Sequence, residues 1–334
     1  MEIVLSPSNT QNPKTKIAIM RAVPEESIAA LRAKYDVQVY NVGPDTGGDE
    51  ARVIEVAQGA SALLSVLDNP ITARVMEACP DLRIIAQCAV GYDNIDIEAA
   101  RTRGIVVSHT PGVLTEATAD FTLALLLSVA RQLREADLYV RAGRFKRWET
   151  MLLHGMGLQG KTLGIIGLGR IGRAVAHRAR SFGMQICYHN RRQADPDVEH
   201  QLEAPFLSLE ALLQTSDIVT LHCPLNKDSR HLLDAKAFRL MKPTALLLNT
   251  ARGPIIDEDA LVDALKAGEL AGAGLDVFER EPAVHPGLLD QDRVLLAPHL
   301  ASATVEARTA MARMCAEAIE AALTGADVIP HRVV

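Results

Sequence analysis

The sequence predicts an α/β protein made of two doubly wound, parallel-sheet domains with a cleft between them. Three observations carry that expectation. Short apolar β runs alternate with helical patterns along the chain, as expected of parallel strands joined by helical crossovers. The alternation comes in two series, separated by one long apolar helical stretch. At 334 residues the chain is long enough for two domains with cores of their own.

In the first series KIAIM (16–20) reads as a strand. Pro24 then opens a helix whose apolar residues recur at helical spacing. VQVY, ALLSVL, RIIAQC and IVVS continue as strands, with helices near 49–57, 71–78 and 96–103. The second series runs TLGIIG, QICYH, IVTLH, ALLLNT, GAGLDV and RVLLAP. Between the two, a single long helix is expected over about 115–140, opening on Thr115-Glu116-Ala117-Thr118. Its apolar centre, FTLALLLSVA, is too short to span a bilayer and reads as a buried helix. After Pro298 a last helix is expected from about Thr304 to Leu323. The first domain is small, so this helix is expected to return to it. Residues 1–108 with 301–334 would then form one domain and 109–300 the other. Two crossings between domains would leave a hinged active-site cleft.

Composition excludes several classes. The chain is 48% hydrophobic and 23% charged, as ordinary soluble globular proteins are. A net charge of −6 argues against a nucleic-acid coat or polybasic membrane binding. The five cysteines, Cys79, Cys88, Cys187, Cys223 and Cys315, are scattered and form no C-x-x-C pair. That suits a reducing cytoplasm and predicts no metal site. The N-terminal stretch MEIVLSPSNTQNPKTK lacks a basic segment followed by an apolar core, so no signal peptide is expected.

Two glycine loops compete for attention. GMGLQGKT (155–162) matches the phosphate-loop pattern G-x-x-x-x-G-K-[ST]. That pattern works only with a strand before it and a helix after it. Here the strand TLGIIG follows, so the match is a decoy. Gly167-Leu168-Gly169-Arg170-Ile171-Gly172 has the right context, directly after a strand and opening a helix. The first glycine permits the tight turn. The second lets a pyrophosphate approach the backbone, and the third lets helix and strand pack closely. This is the dinucleotide-binding loop of a Rossmann domain.

In such a unit the second strand should end in Asp or Glu, which binds the ribose 2′-hydroxyl of NAD. Here QICYH is followed by Asn190, Arg191 and Arg192. A carboxylate would repel a 2′-phosphate, whereas arginines pair with it through charge-assisted bonds. NADP(H) is therefore the expected cofactor. NAD(H) stays possible if Arg191 merely stacks on adenine.

Three later strand ends carry chemistry: Arg252 in LLLNTARG, Glu281 in LDVFEREP and His299 in VLLAPHL. Loops beyond the carboxyl ends of parallel strands converge on one crevice. Hydride transfer to a 2-oxo acid needs a cation for the carboxylate and carbonyl, and Arg252 offers a fixed donor fork. It also needs an acid for the developing alkoxide, a task that suits a histidine such as His299. A carboxylate at Glu281 would orient the imidazole and favour its protonated form.

Taken together, AVGYDNID (89–96), GIIGLGRIG (164–172), HCPL (222–225), NTARG (249–253), LDVFEREP (275–282) and APH (297–299) resemble the D-2-hydroxyacid dehydrogenases from about residue 16 onward. The resemblance implies a flavodoxin-like substrate domain and a Rossmann cofactor domain, with Arg252, Glu281 and His299 as the catalytic residues. It implies that Val90 and Gly91 offer backbone amides to the substrate carboxylate. Cys223, Pro224, Thr250, Ala251 and Asp276 would line the cofactor site, with Thr118 a further member. SVLDNPI (65–71), the Trp148 region and YHNRR are most similar to the glyoxylate/hydroxypyruvate reductase branch, which often uses NADPH. That branch implies a homodimer in which Trp148 reaches the partner's active site. The shape of the substrate pocket is expected to depend on Leu67 and on residues from both domains.

Other readings stay open. One is an NAD-linked dehydrogenase for D-lactate, D-glycerate, phosphoglycerate or another acid. The other is a non-catalytic, cofactor-sensing relative of the corepressors. Val90 stands where phosphite dehydrogenases carry Lys, and Glu281 where formate dehydrogenases carry Gln, so neither activity is expected. The expected substrates are small 2-oxo acids, with no nucleic-acid or membrane partner.

Overall fold

A computed structural model describes residues 14–40 and 49–334. The N-terminal stretch scanned for a signal peptide lies largely outside them. The chain divides into two compact units, one running to Pro111 and resuming at Arg308–Val334, the other spanning Gly112–Ala307.

The first unit holds β1 (Lys16–Ile19), α1 (Glu25–Lys34), β2 (Asp36–Val39), α2 (Glu50–Ala57), β3 (Ala60–Ser65), α3 (Ala73–Ala78), β4 (Ile84–Gln87), α4 (Ile97–Arg103) and β5 (Val106–Ser108). The strands pair in parallel in the order β2-β1-β3-β4-β5, the flavodoxin-like arrangement. Helices cover both faces of such a sheet, so its strands are apolar runs rather than alternating patterns. Ala60, Ala62, Leu63 and Leu64 of β3 are all fully buried. Local chemistry sets the helix ends. Asp49, Thr72 and Asp96 each accept a backbone N–H of the turn they precede. Gly104 ends α4 in the left-handed conformation, at φ +69°. The C-terminal segment lies against the free edge of β5, where the Val333 N–H donates to the Val107 carbonyl at 2.7 Å.

The second unit opens with α5 (Thr115–Ala130) and α6 (Leu133–Arg141). It continues through β6 (Thr162–Ile166), α7 (Arg170–Ser181), β7 (Gln185–His189), α8 (Pro196–Leu202), α9 (Leu209–Thr215), β8 (Ile218–Leu221), α10 (Ala235–Leu240) and β9 (Leu246–Asn249). Then come a 3-10 turn (Gly253–Ile255), α11 (Glu258–Ala267), β10 (Gly272–Leu275), α12 (Pro286–Leu289) and β11 (Val294–Leu296). The sheet is parallel throughout, in the order β11-β10-β9-β8-β6-β7. A single parallel bridge from Tyr188 to Phe206 marks a remnant strand beyond β7. With it, the order is that of the Rossmann fold. Within α13 (Val305–Thr324), which Thr304 caps by accepting the Ala307 N–H, the chain leaves this unit.

One helix departs from expectation. The stretch 115–140 is two helices, broken at Arg131 and Gln132, with Gln132 at φ +51°. The cause is a distant segment. The Met156 N–H donates to the Ala130 carbonyl at 2.7 Å, in place of the next helical amide. Gln132 Nε2 donates to the His154 carbonyl at 2.7 Å. Gly155 makes the approach possible, because a Cβ there would sit 2.3 Å from the Ala130 oxygen. The decoy motif thus has a structural job. Its glycines serve a backbone crossing at Gly155 and a left-handed turn at Gly160 (φ +74°), and β6 follows it.

Among the described residues, no helix is long and apolar enough to cross a membrane. None of their His, Cys, Asp and Glu side chains form a group of three or more able to hold a metal ion. All five cysteines are free.

Candidate active site

The glycine loop follows β6 and opens α7. A Cβ on Gly167, which sits at φ +104°, would lie 2.5 Å from the Cys223 nitrogen. One on Gly172 would lie 2.3 Å from the Gly167 oxygen. Around Gly169 nothing lies within 4 Å. The first and third glycines are therefore required by packing, and the second leaves the backbone open. Arg170 and Ile171 begin α7, whose first amides have no helical acceptor. Open backbone at a helix N-terminus is what a dinucleotide pyrophosphate requires, so these residues fit the cofactor.

The loop beyond β7 carries the two arginines. Arg191 is exposed and lies 3.8 Å from Asp228, and Arg192 is exposed as well. Asn190 does something the sequence did not suggest. Its Oδ1 accepts the Leu168 N–H at 2.7 Å, so it ties the β7 loop to the glycine loop. The backbone of Cys223 packs on Gly167, and burial pushes the Cys223 thiol up to about 11, so it stays protonated. Beside it, the Pro224 carbonyl accepts the Ser229 hydroxyl at 2.7 Å.

Arg252, Glu281 and His299 all follow carboxyl ends of neighbouring strands, β9, β10 and β11. His299 Nδ1 and Glu281 Oε2 are 2.9 Å apart. The other Glu281 oxygen accepts the Phe278 N–H at 3.0 Å. Burial would raise the Glu281 pKa. The hydrogen bond and charge of His299, the Phe278 amide and the charge of Arg252 outweigh it, and the carboxyl lies below its ordinary value. Glu281 is therefore a carboxylate at neutral pH, with Arg252 near enough to act on it.

The loops that hold these groups are tightly built. Buried Asn249 clamps the turn after β9: its Oδ1 accepts the Ala251 N–H and its Nδ2 donates to the Arg252 carbonyl, both at 2.9 Å. Next to it, Thr250 Oγ1 lies 3.0 Å from Thr122 Oγ1, which also donates to the Thr118 carbonyl at 2.8 Å. Thr118 itself is buried within α5. Gly253 lies so close to the β10 loop that a Cβ would fall 1.9 Å from the Phe278 carbonyl. Gly253→Ala should separate the Arg252 and Glu281 loops. The expected result is a loss of about 1–3 kcal/mol of stability with a fall in kcat, read by thermal melting and steady-state kinetics.

Asp276 carries more structure than the sequence suggested. Its two carboxylate oxygens accept the Leu300 and Ala301 amides at 2.6 and 2.8 Å, and its carbonyl accepts the His299 N–H at 2.8 Å. It thereby sets the His299 backbone, which sits at φ +54°. Behind Glu281, Glu258 and Glu279 cap each other. The Glu279 N–H donates to Glu258 at 2.7 Å and the Glu258 N–H to Glu279 at 3.4 Å, while His231 and Arg230 pair with Glu279.

The other named residues divide between the two units. In the first unit, Leu67 and the Val90–Gly91 pair follow the carboxyl ends of the adjacent strands β3 and β4. The Val90 carbonyl meets His109 Nδ1 at 2.8 Å, and the Gly91 carbonyl accepts Gln87 Nε2 at 3.3 Å. Trp148, in the second unit, is 78% exposed.

A dinucleotide loop, a parallel sheet in Rossmann order and a carboxylate–imidazole pair beside an arginine define a nicotinamide-dependent oxidoreductase. Residues 123–301 match the family "D-isomer specific 2-hydroxyacid dehydrogenase, NAD binding domain", and the chain belongs to this family. It is 45% identical to the glyoxylate reductase of Thermococcus litoralis, over 96% of this chain and 97% of that protein. It is 46% identical to the glyoxylate reductase of Korarchaeum cryptofilum, over 96% of each. Among solved structures, it resembles an NADPH-dependent glyoxylate/hydroxypyruvate reductase of Sinorhizobium meliloti in complex with NADP and malonate. The TM-score is 0.85 at 33% identity, covering 96% of this chain and 97% of that one.

Proposed function

We propose that the protein reduces small 2-oxo acids, glyoxylate and hydroxypyruvate, to D-2-hydroxy acids, with NADPH preferred over NADH. The 2.9 Å pairing of His299 with Glu281, with Arg252 one strand away, carries this reading. The names of the relatives support the substrate class. The bound nicotinamide supplies the hydride. Arg252 holds the substrate carboxylate and polarises its carbonyl. With Nδ1 engaged by Glu281, His299 gives a proton from Nε2 to the alkoxide oxygen. The Glu281 carboxylate holds the imidazole in that orientation and balances its charge. Leu67 and the backbone amides of Val90 and Gly91 are assigned to substrate binding as part of the same reading.

On the cofactor side, Arg191 and Arg192 take the 2′-phosphate. Cys223, Pro224, Thr250, Ala251, Asp276 and Thr118 belong to the same surface, directly or by holding its backbone. The enzyme works in the cytoplasm as a homodimer. Leu138, Val140, Phe145, Trp148 and Met151 are exposed apolar side chains that a second copy would cover, bringing Trp148 to the partner's site.

The test follows absorbance at 340 nm with glyoxylate and hydroxypyruvate, comparing kcat/KM for the two cofactors. A preference of about tenfold or more for NADPH, equal to about 1.4 kcal/mol, is expected. A preference for NADH would return Arg191 and Arg192 to a solvated loop. Absence of turnover with either acid would overturn the substrate assignment.

A further inference from the structure

Tyr188 is fully buried at the end of β7, yet its hydroxyl is fully engaged. The Ala194 N–H donates to it at 2.8 Å, and it donates in turn to Glu199 of α8. Both Glu199 oxygens also accept Gln193 Nε2, each at 3.0 Å. At the other end of the same loop, Asn190 is bonded to Leu168. Residues 190–194 are thus anchored twice, at Asn190 and at Gln193–Ala194. Between the anchors stand Arg191 and Arg192, both exposed.

Packing alone does not explain the hydroxyl. A phenylalanine would fill the same space beside Phe206, whose ring centre lies 5.5 Å from that of Tyr188. Burying a hydroxyl costs free energy unless it is hydrogen-bonded, and here every bond it makes points at the arginine loop or its support. Burial and the bond to Glu199 raise the Tyr188 pKa to about 12, so the hydroxyl keeps the proton it donates. Two guanidiniums can grip one phosphate only if their backbone is held at the right spacing. A loop fixed beforehand does not have to be ordered at the moment of binding.

We infer that Tyr188 and Glu199 are positioning residues for cofactor choice: they hold the loop so that Arg191 and Arg192 meet a ribose 2′-phosphate together. The inference rests on the NADPH reading above.

The experiment compares the parent protein with Tyr188→Phe, Glu199→Ala and Glu199→Gln. Calorimetry gives Kd for 2′,5′-ADP and for 5′-AMP, which differ by the 2′-phosphate. Kinetics with glyoxylate give kcat/KM for NADPH and NADH. In Tyr188→Phe and Glu199→Ala, 2′,5′-ADP should bind at least fivefold more weakly, with 5′-AMP changed less than twofold. The NADPH/NADH ratio should fall in parallel. Glu199→Gln keeps an acceptor for Tyr188 and should retain most of the discrimination. If Tyr188→Phe does not fold, Glu199→Ala, at a partly exposed helical position, reads the same effect. Equal losses for both ligands, or an unchanged ratio, overturn the inference while the NADPH reading stands. A parent protein that does not discriminate 2′,5′-ADP from 5′-AMP overturns both.

Discussion

Replacing His299 with asparagine is expected to cut kcat by about 10²–10⁴-fold, the contribution of a positioned general acid. NADPH binding should change little, because no cofactor role is assigned to the imidazole. Asparagine is the informative choice. His299 sits at φ +54°, a region where a β-branched residue would be strained and which Asn tolerates better than most. Its backbone N–H is held by the Asp276 carbonyl at 2.8 Å, so the loop should survive the change. The measurement pairs steady-state kinetics on glyoxylate with a fluorescence titration of NADPH. Parental turnover in this variant would sink the acid–base assignment. Loss of NADPH binding would mean the loop had moved rather than that the acid had been removed.

The same residue shows what could be read from the sequence and what could not. His299, Glu281 and Arg252 were legible as candidates because each stands in the loop that follows an apolar strand, and the rule that ligands bind beyond carboxyl ends turns those loops into site candidates. The glycine loop was legible for the same reason, and strand order exposed the decoy at 155–162. What stayed hidden depends on partners far apart in the chain. Asp276 was expected to line the cofactor site; that its two oxygens also accept the amides of Leu300 and Ala301 is something no local pattern predicts. Asn190 stands at the strand end where a ribose ligand is looked for, and the bond of its oxygen to the distant Leu168 amide could not be read there. The break after Ala130 was invisible for a related reason: residues 115–140 carry no Gly or Pro, and the cause lies at Gly155 and Met156. The mutual capping of Glu258 and Glu279 joins residues 21 apart, with nothing in either neighbourhood to announce it. Local chemistry writes elements and their ends into a sequence. The second contacts that aim a catalytic side chain are mostly long-range, and a single sequence records them only as ordinary polar residues.

Arg252→Ala should produce the other large loss. Removing one member of a close charge pair costs about 2–5 kcal/mol, or roughly 30- to 5000-fold in kcat/KM. Because the guanidinium is assigned to both carboxylate and carbonyl, KM should rise and kcat should fall together, the signature of an interaction present in ground and transition states. Arg252→Lys keeps the charge but loses the planar fork, so it should recover only part of the activity. The arginine also acts on its neighbour, since its charge helps hold the Glu281 carboxyl below its ordinary value. The sign of the pH effect follows. In the parent, the Glu281–His299 pairing persists above the folded pKa of Glu281 and is lost as pH falls through it. Without the Arg252 charge, that pKa rises, so the acid limb of kcat/KM should move to higher pH in Arg252→Ala and much less in Arg252→Lys. An acid limb unmoved in Arg252→Ala, despite the lost activity, would mean that Arg252 serves the substrate alone. Full activity in Arg252→Ala would remove it from the site.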